Sequence, residues 1–335
     1  MREIFTIVLV IIGALIGAGF ASGQEIYSFF YSYGAIGLVG IIITCILISL
    51  TLYKSLKIIY KNKIDNYDNF LKVFIKNEKV TKAINIIINI LLLVTFYIMI
   101  AGFGAYFEQE IGVSKIIGSC VLAVMSAIVF FTSVKGVLKV SELIVPILIL
   151  SIIIIGGINL ITVSSEIEIP VIKKGWLLSS LSYASFNMIL LIPALISLRK
   201  QISRVTNIKY IAIISGILMI IMSVMIYILL IKCNVDISTL EMPIVYVVRT
   251  FFGKFKPVYA FIILSSIFTT AISIGIGFLQ NISQNKKSYV QIVLFMCITS
   301  LIVANFGFSN LVNFVYPLFG YLGILQMISI IKQKT

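Results

Sequence analysis

Long apolar stretches follow one another through the chain, with only short polar segments between them. A helix needs roughly 20 such residues to cross about 30 Å of hydrocarbon. Segments of that length predict an all-α integral membrane protein. They number about ten and lie at about residues 4–31, 34–59, 81–106, 115–134, 138–161, 176–198, 208–231, 257–282, 288–306 and 308–331.

Composition argues against the other classes of protein. The chain is 60% hydrophobic and 11% charged, whereas an ordinary soluble domain is about 25% charged. A water-soluble globule could not bury so much apolar side chain. The sequence has no His, no Cys-x-x-Cys pair and no Walker A motif. We therefore expect neither an enzyme, nor a resident cofactor, nor direct use of ATP.

The positions of Lys and Arg predict how the chain lies in the membrane. Ten spans put both termini on one side, and nineteen of the 26 Lys and Arg residues fall on that side. Because the positive side of a membrane protein is cytoplasmic, we expect a multi-pass cell-membrane protein with both termini in the cytoplasm. We therefore attribute the formal charge of +14 to Lys and Arg in cytoplasmic loops at the membrane surface, and we expect no binding to nucleic acid. The sequence leaves the oligomeric state open.

Two connecting segments are longer than simple hairpins. Residues 60–80 predict a segment on the cytoplasmic surface. Residues 233–256 contain PIVYVVRTFFGKF, which is apolar and aromatic but too short to span. This second segment favours an outer lid or an interfacial helix over a flexible loop.

A short motif recurs at half the length of the chain. Residues 20–26, FASGQEI, align with residues 183–189, YASFNMI. The copies lie in the first and sixth predicted spans, so they enter the membrane from opposite faces. That is the arrangement of a 5+5 inverted repeat. We predict one transmembrane domain over residues 1–335, with repeat one at about 4–161 and repeat two at about 176–331.

Four glycines crowd the first predicted span, at Gly13, Gly17, Gly19 and Gly23. One interpretation is close helix packing, because Gly13 and Gly17 form a small-xxx-small face. The other is local unwinding around residues 17–23. A continuous helix over residues 4–31 would be about 42 Å long, and unwinding removes that mismatch with the bilayer.

Residues 16–25, IGAGFASGQE, open a basic chain with ten predicted spans. In this the chain resembles the YkvI-type membrane proteins of the amino acid–polyamine–organocation (APC) transporter superfamily, whose fold is the LeuT type. The resemblance implies that helices 1 and 6 are discontinuous around a substrate site, with the third and eighth spans beside it. Where that superfamily usually has an apolar residue or proline after the break, this sequence has Gln24 and Glu25.

Unwound helices expose backbone N–H and C=O groups that lipid cannot satisfy. The N–H groups attract a carboxylate and the carbonyls attract a cation, and an amino acid carries both groups. The candidate substrate-binding residues are Gly17, Gly19, Ala21, Ser22, Gly23, Glu25, Tyr97, Tyr183, Ser185, Phe186 and Asn187.

Glu25 is the most informative single residue, because an acid within a span usually marks an ion or proton route. It is a candidate proton carrier, or the counter-ion of a cationic substrate. In the alternative interpretation, the first span ends near Gly23 and Glu25 is interfacial.

Hydroxyl side chains cluster in the eighth predicted span. Ser265, Thr269 and Ser273 share one helical face, with Ser266 and Thr270 beside them. Such hydroxyls commonly bond to their own helix backbone. With carbonyls of the broken first span they could instead form an all-oxygen sodium site, whose candidate ligands are Ala14, Gly17, Thr269, Thr270 and Ser273. Sodium and proton both stay open as the coupling ion.

These features together predict a secondary active transporter that moves an amino acid or a related small amine-bearing solute by alternating access. Sodium or a proton would drive it. The alternative is a membrane solute receptor of the same fold, similar to germinant receptors, without net transport. A channel is disfavoured because the sequence has no charge ring or filter-like repeat.

Overall fold

The computed structural model describes residues 2–131, 135–162, 171–231, 236–282 and 286–333, and these are helical with no strand among them. The α-helices are α1 (Arg2–Leu15), α2 (Ala18–Ala21), α3 (Gln24–Phe29), α4 (Ile36–Lys61), α5 (Tyr67–Lys72), α6 (Glu78–Tyr106), α7 (Lys115–Phe131), α8 (Lys135–Thr162), α9 (Trp176–Leu198), α10 (Val205–Ile231), α11 (Pro243–Phe251), α12 (Lys256–Ile282), α13 (Lys286–Ala304) and α14 (Phe308–Lys332). Short 3-10 turns lie at Tyr31–Tyr33, Arg199–Gln201, Ile237–Thr239 and Gly253–Phe255, and a π turn lies at Phe107–Ile111.

Every predicted span coincides with a helix, or with the broken run α1–α3, to within three residues. Within the described part of the chain, 7 helices are long and apolar enough to cross a membrane. Three shorter apolar helices lie at Glu3–Leu15, Lys115–Phe131 and Val145–Leu160. The chain is therefore a multi-pass membrane protein. The count of ten spans and the 5+5 repeat stay predictions.

The first predicted span is broken twice. Helix α1 ends at Leu15, residues 16 and 17 are not helical, and Gly23 separates α2 from α3 with a φ of 83° in the left-handed region. No backbone hydrogen bond in the described chain joins the N–H groups of residues 17–20 to the carbonyls of residues 13–16. The unwinding interpretation is thus confirmed at residues 16–17 and 22–23, with the short helix α2 between them.

Close packing against another helix explains Gly13. A Cβ atom built on Gly13 would lie 2.7 Å from Cγ2 of Val145 in α8, so this residue lets α1 approach α8. The same atom on Gly17 would meet nothing nearer than 3.7 Å. Both interpretations of the glycine run are therefore correct, at different positions.

The expectation of a discontinuous sixth span is wrong, because α9 runs unbroken from Trp176 to Leu198. Phe186 stands in this copy of the motif where the first copy has Gly23, and no glycine occurs within α9. The polar side chains also bond within the helix. Ser185 Oγ donates to the Ser182 carbonyl at 3.0 Å, and Asn187 Nδ2 donates to the Tyr183 carbonyl at 2.9 Å.

The helices define two faces of the molecule. The mouth face carries the start of α1, residues 62–77 with α5, and residues 199–204. The far face carries the π turn at Phe107–Ile111, the start of α9, and α11. The predicted lid or interfacial segment is thus helical in α11, whose apolar side is buried.

Candidate substrate site at the break in the first span

A cavity of about 1260 Å³ extends from the mouth face to the break between α1 and α3. Its deep part is formed by residues of the break and of four long helices, and its opening by polar residues of the mouth face. Among the deep lining residues are Gly13, Ala14, Gly17, Glu25, Thr95, Met99, Phe186, Asn187, Ser266, Thr269, Thr270, Ser273 and Tyr316. The mixture of apolar walls with a few polar groups is typical of a small-molecule site.

The opening of the cavity carries charges of both signs. Arg199 Nη2, at the end of α9, lies 2.5 Å from Asp65 Oδ1. Asn85 Nδ2 donates to Asp68 Oδ1 at 2.9 Å, and Asn281 Nδ2 donates to Asn89 Oδ1 at 3.1 Å. The opening therefore presents both acidic and basic side chains to the solvent.

Glu25 lies at the deep end of the cavity, and its residue is 4% exposed. Tyr183 Oη donates to Glu25 Oε2 at 2.6 Å, which joins α3 to α9 and the first copy of the motif to the second. The interfacial interpretation of Glu25 is therefore wrong. Gly19 is required beside it, because a Cβ atom there would collide with the Glu25 side chain.

Two aromatic rings form the wall next to Glu25. Phe186 of α9 stacks on Tyr316 of α14 with ring centroids 4.1 Å apart, and both residues line the cavity. Asn187, which follows Phe186, also lines the cavity. The structure thus brings Gly17, Glu25, Phe186 and Asn187 of the candidate residues to one space.

Other candidates from the motif face away from the cavity. The Ala21 carbonyl accepts from Tyr259 Oη at 2.7 Å, and the Ser22 carbonyl accepts from the Ile244 N–H at 2.9 Å. A Cβ atom on Gly23 would meet the Ile244 side chain. Ala21, Ser22 and Gly23 therefore hold the break against α11 and α12.

Ser185 and Tyr97 also lie elsewhere. Ser185 Oγ donates to the backbone carbonyls of Ser182 and Gly320. Tyr97 Oη lies 2.5 Å from Thr299 Oγ1 on α13, and it is not among the residues that line the cavity. The prediction that Tyr97 lines the site is wrong, because the face of α6 toward the cavity carries Thr95 and Met99 instead.

All five candidate sodium ligands line the cavity, but the hydroxyls of Thr269 and Ser273 already bond within α12. Thr269 Oγ1 donates to the Ser266 carbonyl at 3.1 Å, and Ser273 Oγ donates to the Thr269 carbonyl at 2.8 Å. Each oxygen keeps lone pairs that could face a cation. Thr270 presents its methyl carbon toward Gly17. No cluster of three or more Cys, Asp or Glu residues suited to a metal occurs in the described residues.

The Ala14 carbonyl is available from the other side of this group. It lies in the last turn of α1, where no described backbone N–H four residues ahead donates to it. Ser266 Oγ lies 3.5 Å from the carbonyl oxygen of Ile16, two residues further along the chain.

The far face closes the site from the side opposite the mouth. Gln109 in the π turn exchanges two hydrogen bonds with the Met242 backbone, of 3.0 and 3.1 Å. Glu110 lies 3.3 Å from Arg249 and 3.4 Å from Lys256. These contacts hold α11 over the break.

Sequence reasoning missed three residues of this site. Tyr316 forms the wall beside Glu25, and Tyr259 donates a hydrogen bond to the interrupted backbone at Ala21. Gln24 precedes Glu25 in the sequence. For Gln24 a signal was present, since a buried amide in a span is costly. The two tyrosines carry no signal, because buried aromatic residues are common in packed helices.

Comparisons with known proteins agree with the resemblance found in the sequence. The chain is 29% identical to the membrane protein YkvI of Bacillus subtilis (strain 168), over 97% of this chain and 94% of that protein. It is 24% identical to the protein YyaD of the same organism, over 96% and 94%. The chain is a relative of the YkvI-type membrane proteins.

No protein-family profile matches the chain. Among solved structures, one similar chain is the manganese transporter of Eremococcus coleocola, crystallised with an aromatic bis-isothiourea substituted compound. The two are 14% identical with a TM-score of 0.47, over 97% of this chain and 70% of that one. The names of the two Bacillus relatives state no activity.

Proposed function

We propose that the chain is a secondary active transporter that moves an amino acid or a related small amine-bearing solute by alternating access. The observation that carries the proposal is the one-sided cavity. It reaches Glu25 and the break from the mouth face, while α11 covers the break from the far face. A carrier must hold its substrate site open to one side and closed to the other.

The mouth face is cytoplasmic under this proposal, because Lys and Arg are concentrated there. The described conformation would then be open to the cytoplasm. Transport to or from the other side would require α11 and α3 to separate from each other. The contacts between them, at Ser22 and Gly23, involve the broken segment rather than the long helices.

An amine fits the deep part of the cavity. Glu25 is the one charged residue that lines it there, among the described residues, and a single carboxyl favours a cationic or proton-donating group. The unpaired carbonyls of Gly13 and Ala14 add further acceptors. The free N–H groups at residues 17–20 are the donors that a carboxylate would use, so an amino acid also fits.

Coupling to a proton or to sodium makes different demands on this site. A proton would be carried by Glu25, whose partner is the Tyr183 hydroxyl. Sodium would use the Ala14 carbonyl with the Thr269 and Ser273 hydroxyls.

Uptake into proteoliposomes tests the proposal. A panel of labelled amino acids and primary amines is offered with an inward sodium gradient, a proton gradient or neither. We expect accumulation of at least one solute under one gradient. Glu25→Gln should abolish accumulation driven by a proton gradient, and Thr269→Val with Ser273→Ala should abolish accumulation driven by sodium.

The control variant is Ser329→Ala, an exposed hydroxyl near the mouth end of α14 whose only described bond is to its own helix. Uptake by this variant should match that of the unmodified chain. A thermal-shift screen with the same solutes measures binding separately, because ligands stabilise the protein by mass action. Binding without uptake under any gradient would contradict transport and favour the receptor.

A further inference from the structure

Helix α14 contributes one residue to the lining of the cavity, Tyr316. Its ring stacks on that of Phe186, with the two planes 26° apart. The backbone beside it is held as well, because Ser182 Oγ of α9 donates to the carbonyl of Pro317 at 3.1 Å. Packing against α9 therefore fixes the position of the Tyr316 ring.

The hydroxyl of Tyr316 differs from those of the other deeply buried tyrosines. Four tyrosines are exposed by 2% or less, namely Tyr183, Tyr227, Tyr259 and Tyr316. The first three donate hydrogen bonds of 2.6–2.8 Å, one to Glu25 Oε2 and two to backbone carbonyls. Tyr316 Oη takes part in no hydrogen bond among the described residues. A buried tyrosine hydroxyl usually has a partner, so Tyr316 is the exception.

This hydroxyl is open to the cavity. It does not belong to the unpaired side-chain atoms of the described chain that are fully shielded, so part of its surface is reachable. Because Tyr316 lines the cavity and its ring is otherwise buried, that surface faces the cavity. A buried polar group without a partner is unfavourable. A solute that accepted a hydrogen bond from Tyr316 would remove that penalty.

Glu25 presents one oxygen to the same space. Its Oε2 atom accepts from Tyr183, whereas Oε1 has no hydrogen bond to the described residues and is not fully shielded. Helix α3 thus offers an acceptor and α14 a donor, and the two do not bond to each other. A tyrosine oxygen can also accept, but its own O–H would then stay unpaired. A solute that satisfies both side chains carries an N–H donor and an oxygen acceptor.

The other hydroxyls of the cavity have an alternative that Tyr316 lacks. Thr95, Thr269 and Ser273 donate to carbonyls of their own helices, and Thr270 can turn to its helix in the same way. A tyrosine hydroxyl lies at the end of a rigid ring, beyond reach of its own backbone. Among the described residues, no Lys or Arg lines the deep part of the cavity. Tyr316 is therefore the side chain best placed to donate to a solute.

We propose that Tyr316 is a specificity-determining residue, whose hydroxyl donates to an oxygen that the solute carries in addition to its amine. That oxygen belongs to a hydroxyl, a carbonyl or a carboxylate. A simple alkylamine leaves the Tyr316 hydroxyl unpaired and binds less tightly. The inference rests on the proposed function in taking the solute to be amine-bearing. It does not depend on whether the solute is transported.

Isothermal titration calorimetry on the purified full chain tests the proposal with three series of probes. The simple amines are ethylamine, 3-methylbutylamine and 2-phenylethylamine. Each is compared with the amino alcohol, the amino acid amide and the amino acid that have the same side chain. In a series that binds, we expect an oxygen-bearing member to bind at least tenfold more tightly than the simple amine. The member with the largest excess identifies the kind of oxygen.

Tyr316→Phe keeps the ring and removes only the hydroxyl. It should reduce the excess to less than twofold and leave the affinity for the simple amine unchanged, whereas a loss of packing would weaken all members alike. Tyr227→Phe is the matched control, because the Tyr227 hydroxyl bonds to the Gly34 carbonyl and does not line the cavity. It should retain the excess. Tyr316→Phe should melt no lower than the unmodified chain, whereas Tyr227→Phe, which loses a hydrogen bond, should melt lower.

The outcomes separate this inference from the proposed function. An excess that survives Tyr316→Phe, or one that Thr270→Val removes instead, would overturn the role of Tyr316 and leave the proposed function standing. So would simple amines that bind as tightly as every oxygen-bearing member. Binding with the expected excess but without uptake under any gradient would support Tyr316 and contradict transport. If no probe of any series binds, both are overturned.

Discussion

Two regions of the molecule carry the same short motif and fold differently. Residues 20–26 lie in a segment that breaks at residues 16–17 and again at 22–23, whereas residues 183–189 lie within the unbroken helix α9. The difference follows from single positions. Gly23 adopts a left-handed φ of 83° that Phe186, its counterpart, would adopt only with strain.

The neighbours of the two regions maintain the difference. Around the break, α11 and α12 supply a donor for the Ser22 carbonyl and one for the Ala21 carbonyl, so the unwound backbone is satisfied from outside. Around α9, the backbone stays helical from Trp176 to Leu198, and α14 packs closely against it at Gly320 and Gly323. One copy is an interrupted segment at the cavity, and the other is part of a continuous helix that forms its wall.

Gly23→Ala is expected to have the largest effect, because Gly23 is the left-handed residue at the break itself. The left-handed conformation costs a residue with a Cβ atom about 1–2 kcal/mol, and the added carbon would also collide with Ile244. We expect a loss of about 2–4 kcal/mol in the free energy of unfolding. Ligand-induced stabilisation should disappear as well. Thermal unfolding in detergent, with and without solute, measures both.

Two glycines serve as matched controls for this substitution. Gly112 has a φ of 74° with open space around it, and Gly157 lies in α8 with nothing within 4 Å. Gly112→Ala should show the conformational cost alone, and Gly157→Ala should be neutral or slightly stabilising. If Gly23→Ala resembled Gly112→Ala in every measurement, contact with Ile244 would not matter.

Gly320→Ala is expected to have the next largest effect, because it changes the close contact between α14 and α9. A Cβ atom at this position would collide with the backbone of Ser182 in α9, and backbone atoms cannot move aside as a side chain can. We expect destabilisation of about 1–3 kcal/mol. Gly277→Ala, whose nearest neighbour would be Leu92 Cδ1 at 3.9 Å, is the control. Equal melting temperatures for the two variants would contradict the close packing of α14 on α9.

Tyr183→Phe removes the hydrogen bond that joins the two copies of the motif. The loss of stability should be about 0.5–1.5 kcal/mol, the range for one hydrogen bond. Solute binding should weaken as well, because the bond to Glu25 Oε2 orients the carboxyl in the cavity.

Tyr97→Phe is the matched control for that substitution. It also removes a tyrosine hydroxyl, but one that bonds to Thr299 away from the cavity. We expect Tyr97→Phe to leave solute binding unchanged. Weaker binding in Tyr97→Phe than in Tyr183→Phe would restore the original prediction for Tyr97.

The helices could be predicted from the sequence because the bilayer fixes the length of an apolar segment. The predicted 176–198 segment coincides with α9, and the others differ from the observed helices by three residues or fewer. The break at residues 16–23 was also foreseeable, since Gly17 and Gly23 disfavour helix directly. Segment length and glycine content are local properties, so they can be predicted from the residues of the segment itself.

The orientation of single side chains could not be predicted in the same way. Tyr97 and Thr95 lie on one helix, and only the packing of α6 against α12 and α13 decides which of them meets the cavity. The alignment of the two motifs also led to a wrong conclusion for α9. The alignment rests on Ala, Ser and Ile, which are identical in the two copies. Whether the helix breaks depends instead on the position at which Gly23 aligns with Phe186.

The connecting helices α5 and α11 provide a second contrast between the two halves. Under the predicted repeat they occupy equivalent positions on opposite faces. Both helices bury apolar side chains, Ile244, Val245 and Val248 in α11 and Phe70 and Leu71 in α5. They differ in their ion pairs, because the pair in α5 is exposed to solvent whereas the Glu110 side chain that pairs with α11 is 1% exposed. In α5, Asp68 bonds to Lys72 at 2.5 Å and to Asn85.

The contacts of Asp68 predict that the attachment of α5 depends in part on pH. The hydrogen bond from Lys72 lowers the pKa of Asp68 below its usual range, and the bond from Asn85 adds to this. The folded state therefore favours the carboxylate. Its contribution is complete above the ordinary Asp pKa of about 3.9 and is lost as the pH falls through the lowered value.

Asp68→Asn tests this smallest effect. The variant should melt at most about 2 °C below the unmodified chain at pH 6, because the ion pair is exposed to solvent. That difference should shrink toward zero as the pH approaches 3. A difference that stays constant across this range would mean that the charge of Asp68 does not hold α5 in place. The buried side chains of Phe70 and Leu71 would then account for the attachment of α5.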